Sequence, residues 1–408
     1  MSENTRSDGA GQAYSRIYNR RLIFELLHQA GPLSRVDIAE RMGLKPQTIS
    51  GITRELLTQG LIHEVGKSVG QRGQPQTYLA PNPDAGYSLG VHVDQGRISI
   101  ILGDLLLNIR KRTEWVGETT DPAATTIVMA KLAETMICES GIEKHQIWGI
   151  GLVLPTLNAD TYEAEMNMPG WDLWRGFNVS EKLATLLDLP VLIENDATAA
   201  AMAELFSHSG TPPRNAVLIY VGYGTGAGIV VDGMPMKGAR GNAGELGLLP
   251  LPFCVPDSTG SGVVDDQLSL HAIARMLHCP VSTLTPEVIG NMHASRDSSL
   301  MHWMETASKT LRFLVAIIET AFDPETIFLS GAFPESVLAA LVERAYPLLP
   351  SLSAIRNREL PRLTTATLLR DGPVIGGMTL PVFVNTKPDF RHLYIRQVGS
   401  DERPFDHR

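Results

Sequence analysis

The stretch VLIENDATAAAMAE, residues 191–204, joins two kinds of secondary structure. Val191, Leu192 and Ile193 read as the end of a buried strand, and the alanine-rich run from Ala197 to Phe206 reads as a helix. Asn195 and Asp196 stand at the junction. A carboxylate there meets the positive end of the helix dipole, and such a pair is ordinarily an N-cap. The same two side chains suit the hydroxyls of a sugar: the amide donates and accepts, and the carboxylate can accept or take a proton. About fifty residues later, Gly244-Glu245-Leu246-Gly247 sets another carboxylate between glycines, which permit close backbone approach.

Outward from that junction the sequence alternates strands and helices. Strand-like runs are 88–93, 98–102, 147–154, 191–194, 216–221, 228–231 and 327–329. Helical segments lie at 123–140, 179–187, 197–206 and 301–321, the last closed by Asp323-Pro324. Pattern alone gives an α/β body. A chain of 408 residues exceeds one ordinary domain.

Hydrophobic residues at 43% and charged residues at 19% describe a globular protein with a sizeable core, and the net charge of −9 argues against nucleic acid as a partner of the whole chain. The charge is uneven. Residues 1–85 hold ten Lys/Arg against eight Asp/Glu, while the rest holds 25 against 36. A weakly basic head on an acidic body is compatible with DNA binding by the head alone. Cys138, Cys254 and Cys279 show no CxxC spacing, so reduced thiols in a cytoplasm are expected rather than a disulfide framework. No apolar run reaches membrane-span length, and the N-terminus lacks the signature of a signal peptide.

The head reads as a winged helix-turn-helix. Residues 16–28 form an amphipathic helix stopped by Gly31-Pro32. Ser34 caps a second helix with Val36, Ile38, Ala39 and Met42 as its buried set. After Gly43, Pro46 opens a third helix to Gln59, buried through Ile49, Ile52, Leu56 and Leu57. Two strands around a glycine-rich turn at 66–73 make the wing. Helix, turn, helix and basic wing agree on DNA. Lys45, Gln47, Thr48, Ser50 and Arg54 are placed for base edges and phosphates, with Arg35 at the start of the second helix, and Arg72 and Gln74 on the wing.

The segments GPLSRVDIAERMGLKPQTISGITRELLTQGLI, GQRGQP and NPDAGYSLGVHV resemble the repressor branch of the ROK family (repressors, open reading frames and kinases), the branch of xylose- and N-acetylglucosamine-type repressors. The resemblance continues along nearly the whole chain. It implies a two-lobed actin-like ATPase fold after the winged helix, divided as 1–82 DNA-binding head, 83–195 small lobe, 196–385 large lobe and 386–408 tail. MNMPGWDLW resembles the family's cleft segment, which implies a ligand role for Asn167. VLIENDATAAAMAE implies that Asn195 and Asp196 bind ligand, Asp196 standing where family kinases have their general base. GARGNAGELG implies that Glu245 holds sugar hydroxyls, and Asp265 falls near a further family glutamate. IFLSGAFPES resembles the late glycine motif near the nucleotide base.

Three departures from the family's kinases point one way. Their phosphate loop Asp-x-Gly-Gly-Thr is here Asp94-Gln95-Gly96-Arg97-Ile98, with bulky residues where close approach is needed. In the second glycine loop, Tyr223 stands where a threonine is usual. Leu248 replaces the family histidine, and only Cys254 remains of the zinc cluster, so no metal is expected. The resulting expectation is a non-enzymatic, cofactor-free repressor. It binds operator DNA as a homodimer or homotetramer and takes a sugar or polyol effector in the cleft, with Asp196 a vestigial base. The alternative is an ATP-dependent sugar kinase with a fused DNA-binding head.

Overall fold

The computed structural model describes residues 5–67, 76–155, 171–174, 176–207, 212–253, 262–354, 358–387 and 390–394. The head begins with helix α1 (Thr5–Ala30), followed by β1 (Leu33–Ser34), α2 (Arg35–Met42), α3 (Pro46–Thr58), β2 (Ile62–Lys67) and β3 (Thr77–Pro81). Ser34 caps α2 through a reciprocal pair with Asp37, and Gly43 closes it in the left-handed conformation that glycine adopts freely. Ile23, Leu27, Ile38, Ile49, Leu56 and Leu79 form the head's core. Val36 departs from the sequence expectation: it lies 58% exposed, because at 3.6 residues per turn it stands about 200° around α2 from the buried Ile38.

Two sheets follow, with the same topology. The first holds β4 (Tyr87–Asp94), β5 (Arg97–Asp104), β6 (Ile109–Val116), β7 (Ile147–Leu154) and β8 (Val191–Asn195), flanked by α4 (Pro122–Ser140) and α5 (Val179–Leu187). Helix α6 (Asp196–Phe206) leads to the second: β9 (Ala216–Val221), β10 (Thr225–Val231), β11 (Met234–Pro235), β12 (Thr326–Gly331) and β13 (Leu363–Thr365). Its helices are α7 (Leu270–Leu277), α8 (Pro286–Ala294), α9 (Ser298–Phe322) and α10 (Glu335–Ala345). The strand orders are β6-β5-β4-β7-β8 and β11-β10-β9-β12-β13. In each, three antiparallel strands are extended by two parallel ones.

The chain ends with α11 (Gly372–Thr386) and α12 (Phe390–Leu393). Helices α6 and α11 lie back to back between the sheets, and small residues let their backbones approach. A Cβ on Gly228 of β10 would sit 2.3 Å from the Ala197 carbonyl, and one on Gly376 of α11 would sit 2.0 Å from that of Ala199. On the other face, a Cβ on Gly90 of β4 would sit 2.1 Å from the Val374 carbonyl. The stack is therefore sheet, α11, α6, sheet, without room for a methyl group at these crossings. This is the two-lobed α/β fold behind a winged helix that the sequence implied. Among the described residues, no helix is long and apolar enough to cross a membrane.

Candidate functional site

The cleft is built where β8 hands over to α6. Asn195 is the N-cap: its Oδ1 accepts from the N–H groups of Ala197 at 2.9 Å and Thr198 at 3.4 Å, while its Nδ2 donates to the Pro155 carbonyl at 3.1 Å. One amide N–H is left for a ligand. Asp196, half-buried, accepts from the Ala197 N–H at 2.7 Å through Oδ1 and keeps its second oxygen free of any described donor. Burial, with the charge of Asp94 next, raises its pKa well above the ordinary carboxylate value.

Glu245 and Asp265 come to the same cavity from the second lobe. Glu245 caps no helix with its side chain, and burial alone raises its pKa. A half-buried carboxylate without a hydrogen bond among the described residues is a costly arrangement that a donor hydroxyl would relieve. Asp265 Oδ1 accepts from the Thr225 N–H at 2.6 Å, and burial pushes its pKa up to about 7. Gly224 and Gly247 make room for this carboxylate: a Cβ on Gly247 would lie 2.3 Å from Asp265 Oδ1. Of the sequence-derived ligand set, Asn195, Asp196, Glu245 and Asp265 thus line one cavity. Asn167 lies outside the described residues.

Three other lining residues are singled out by no local sequence pattern. Tyr220, at the end of β9, is 3% exposed, and its hydroxyl has no hydrogen-bond partner among the described residues. Burial and the charges of Asp94 and Asp196 raise its pKa far above the usual phenol value, so it remains a neutral donor. Lys237 pairs with Glu194, and the two form part of the cavity wall. These contacts join residues 43 positions apart or more, with no local pattern to announce them.

The neighbouring turns are closed. Asp94 and Arg97 face each other across a two-residue hairpin, with Gly96 at φ 71°. The Gln95 N–H donates to the Asp94 carboxylate at 2.7 Å, and the Gly96 N–H donates to the Thr119 hydroxyl at 3.0 Å. That hydroxyl in turn donates to the Asp94 carbonyl at 2.9 Å. Ile98 is wholly buried in the core. Tyr223, in the turn of the second lobe, hydrogen-bonds Gln95 across the gap. Two backbone donors that a phosphate would need are therefore already engaged.

In the head, Gln47, Thr48 and Arg54 lie exposed on α3, Lys45 is exposed at its N-cap, and Ser50 is half-buried beside them. Arg35 is turned inward: its Nε donates to the Thr53 hydroxyl at 3.1 Å and ties α2 to α3. Arg72 and Gln74 lie outside the described residues, as does Cys254.

Residues 88–381 match the ROK family. The chain belongs to the ROK family. Ahead of its ROK region, residues 20–65 match the MarR family. The ROK chain is 24% identical over 331 residues to the xylose repressor of Bacillus subtilis strain 168, covering 81% of this chain and 86% of that protein. It is also 24% identical over 336 residues to the DNA-binding transcriptional dual regulator NagC of Escherichia coli K12, covering 78% and 81%. A solved ROK family transcriptional regulator, a homolog of the E. coli MLC protein, superposes with a TM-score of 0.67 at 24% identity, covering 95% of this chain and all of that one.

Proposed function

We propose that this ROK protein is a sugar- or polyol-responsive transcriptional repressor without kinase activity. One observation carries the reading. The ligand half of the cleft presents unspent hydrogen-bonding groups, while the turns that would receive a nucleotide's phosphates have bonded to their own surroundings. The repressors among its relatives support the same conclusion.

A polyol hydroxyl both donates and accepts, and the cavity meets both needs. Asp196, Glu245 and Asp265 accept; the Tyr220 hydroxyl and the remaining Asn195 N–H donate. Asn167 completes the proposed ligand set. Exposed Lys45, Gln47, Thr48 and Arg54, with Ser50, present α3 to a major groove, and Arg72 and Gln74 carry the wing contact. Arg35 acts by holding α2 against α3. Two heads on a dimer would read a palindromic operator in the cytoplasm. The effector changes operator affinity by its different affinities for the two cleft states.

A coupled ATP-turnover assay over a panel of hexoses, pentoses and polyols tests the enzyme question. The expectation is no sugar-dependent turnover. Turnover with any sugar, lost in Asp196→Ala, would establish the kinase instead.

A further inference from the structure

Between the cleft and the head runs a continuous row of rings. His28 of α1 lies 5.1 Å from Phe206 at the end of α6, and Phe206 lies 5.4 Å from Phe383 of α11. Phe383 lies 5.3 Å from Phe390 of α12, which stacks on Tyr394 at 5.3 Å. Phe390 is wholly buried and Tyr394 is 1% exposed. The Tyr394 hydroxyl donates to Glu194 Oε2, the same carboxylate that Lys237 pairs with. The Lys237 ammonium also sits 4.5 Å over the Tyr394 ring. At the other end, Lys387 lies 4.5 Å over Phe383 and 3.4 Å from Glu25 of α1.

The row has a functional group at each end. Glu194 Oε1 accepts from the Asn195 N–H at 2.8 Å, so the carboxylate that holds Tyr394 also holds the backbone at the α6 cap. Glu194 is 1% exposed, and its three charge-assisted bonds make it stiff. Lys237 borders the cavity on the strand-end segment that follows β11. Helix α6 carries Asp196 at its first position and Phe206 at its last, so the ring row and a rigid helix share both ends.

We propose that Tyr394, Lys237 and Glu194 are positioning residues through which the state of the cleft is passed to the head. A ligand that draws on Lys237 or on the Asn195 N–H alters the grip on Tyr394. The stacked rings then alter the seat of α1, which is packed against α3 in the head's core. This rests on the effector reading for its purpose, but the mechanical link itself is testable without any effector or operator. The tail is therefore part of the switch rather than an appendage.

The test is amide hydrogen exchange on the full-length, effector-free protein. In Tyr394→Phe, which keeps the ring and removes only the hydroxyl, and in Lys237→Gln, exchange at α1 from Phe24 to His28 should change by about tenfold. Met236→Leu, a volume-conserving change on the cavity wall without a bond to the cluster, should leave those amides unchanged. Linkage is reciprocal, so His28→Ala should change exchange at Asn195–Thr198 by a similar factor, about tenfold. Unchanged α1 exchange in Tyr394→Phe, or an equal change in Met236→Leu, would overturn the proposal. If Lys237→Gln lowers the melting temperature of the whole chain, the Tyr394→Phe result decides. Failure of the repressor reading would appear separately, as absence of binding to DNA selected from a random pool.

Discussion

The β4–β5 turn and the β9–β10 turn occupy equivalent places in two sheets of identical strand order, yet they serve opposite ends. The first, around Gln95 and Gly96, spends its donors within its own lobe, on the Asp94 carboxylate and the Thr119 hydroxyl. The second uses the Thr225 N–H to pin Asp265, whose carboxylate then stands in the cleft beside Glu245. One turn is closed on itself; the other holds a carboxylate in the cleft. The difference teaches that two turns of the same topology can commit their backbone donors in different ways, one within its own lobe and one to a carboxylate in the cleft.

The contrast is broken most forcefully at Asp196. In Asp196→Ala, affinity for the answering sugar should fall roughly 10- to 100-fold, the cost of losing a charged acceptor, with operator binding unchanged. Calorimetry and an operator titration on the same preparation check both halves. Equal loss of operator binding would show that the variant perturbs the fold instead.

A matched pair of glycine substitutions compares the turns directly. Gly247→Ala drives a methyl against Asp265 Oδ1 and the Thr225 carbonyl, the latter at 2.5 Å. It should cost about 1–3 kcal/mol of stability and weaken sugar binding together. Gly96→Ala has its nearest neighbour at 3.6 Å and pays only for φ 71°. It should cost about 1 kcal/mol and leave sugar binding alone. Urea denaturation gives the stabilities.

The raised pKa of Asp265 sets a pH dependence. Its carboxyl moves from an ordinary 3.8 to about 7 on folding. Between those values the folded chain holds a proton that the unfolded chain releases. Stability therefore declines as pH rises from about 4 to about 7 and levels off above. Asp265→Asn can still accept from Thr225 and should remove that part of the slope, raising stability at pH 8 by about 1 kcal/mol after allowance for solvent screening. A slope unchanged in the variant would contradict the assignment.

Tyr220→Phe is the mildest test. Removing a buried hydroxyl without a partner should leave the effector-free protein as stable or up to about 1 kcal/mol more so, while sugar affinity falls by several-fold, about 1 kcal/mol. A clear loss of stability would mean that the hydroxyl has an internal role.

Much of this was legible in the sequence because the signals were local. Strands 147–154 and 216–221 and helix 179–187 appear at the positions expected, and Ser34, Gly43 and Pro46 place the head's helices through cap chemistry. Helix α11 has no helical signature in the sequence. It contains Pro381 and three glycines (Gly372, Gly376 and Gly377), a composition against helix formation, and it persists because almost all of it is buried between α6 and the first sheet. The edge strand β6 is largely polar and exposed, so it carries little strand signal either. At the site, Asn195 and Asp196 were visible as a strand–helix junction, but Tyr220 and the Glu194–Lys237–Tyr394 cluster depend on contacts up to 200 residues apart. The tail, which has no periodicity, acquires meaning only once Phe390 and Tyr394 are seen against α11 and Glu194.

The most direct measurement is operator affinity titrated with single sugars and polyols in the absence of nucleotide. The account predicts that at least one of them, at millimolar concentration or below, shifts operator affinity by about 5- to 150-fold without ATP. No shift with any compound, or a shift that appears only when ATP is added, would contradict it.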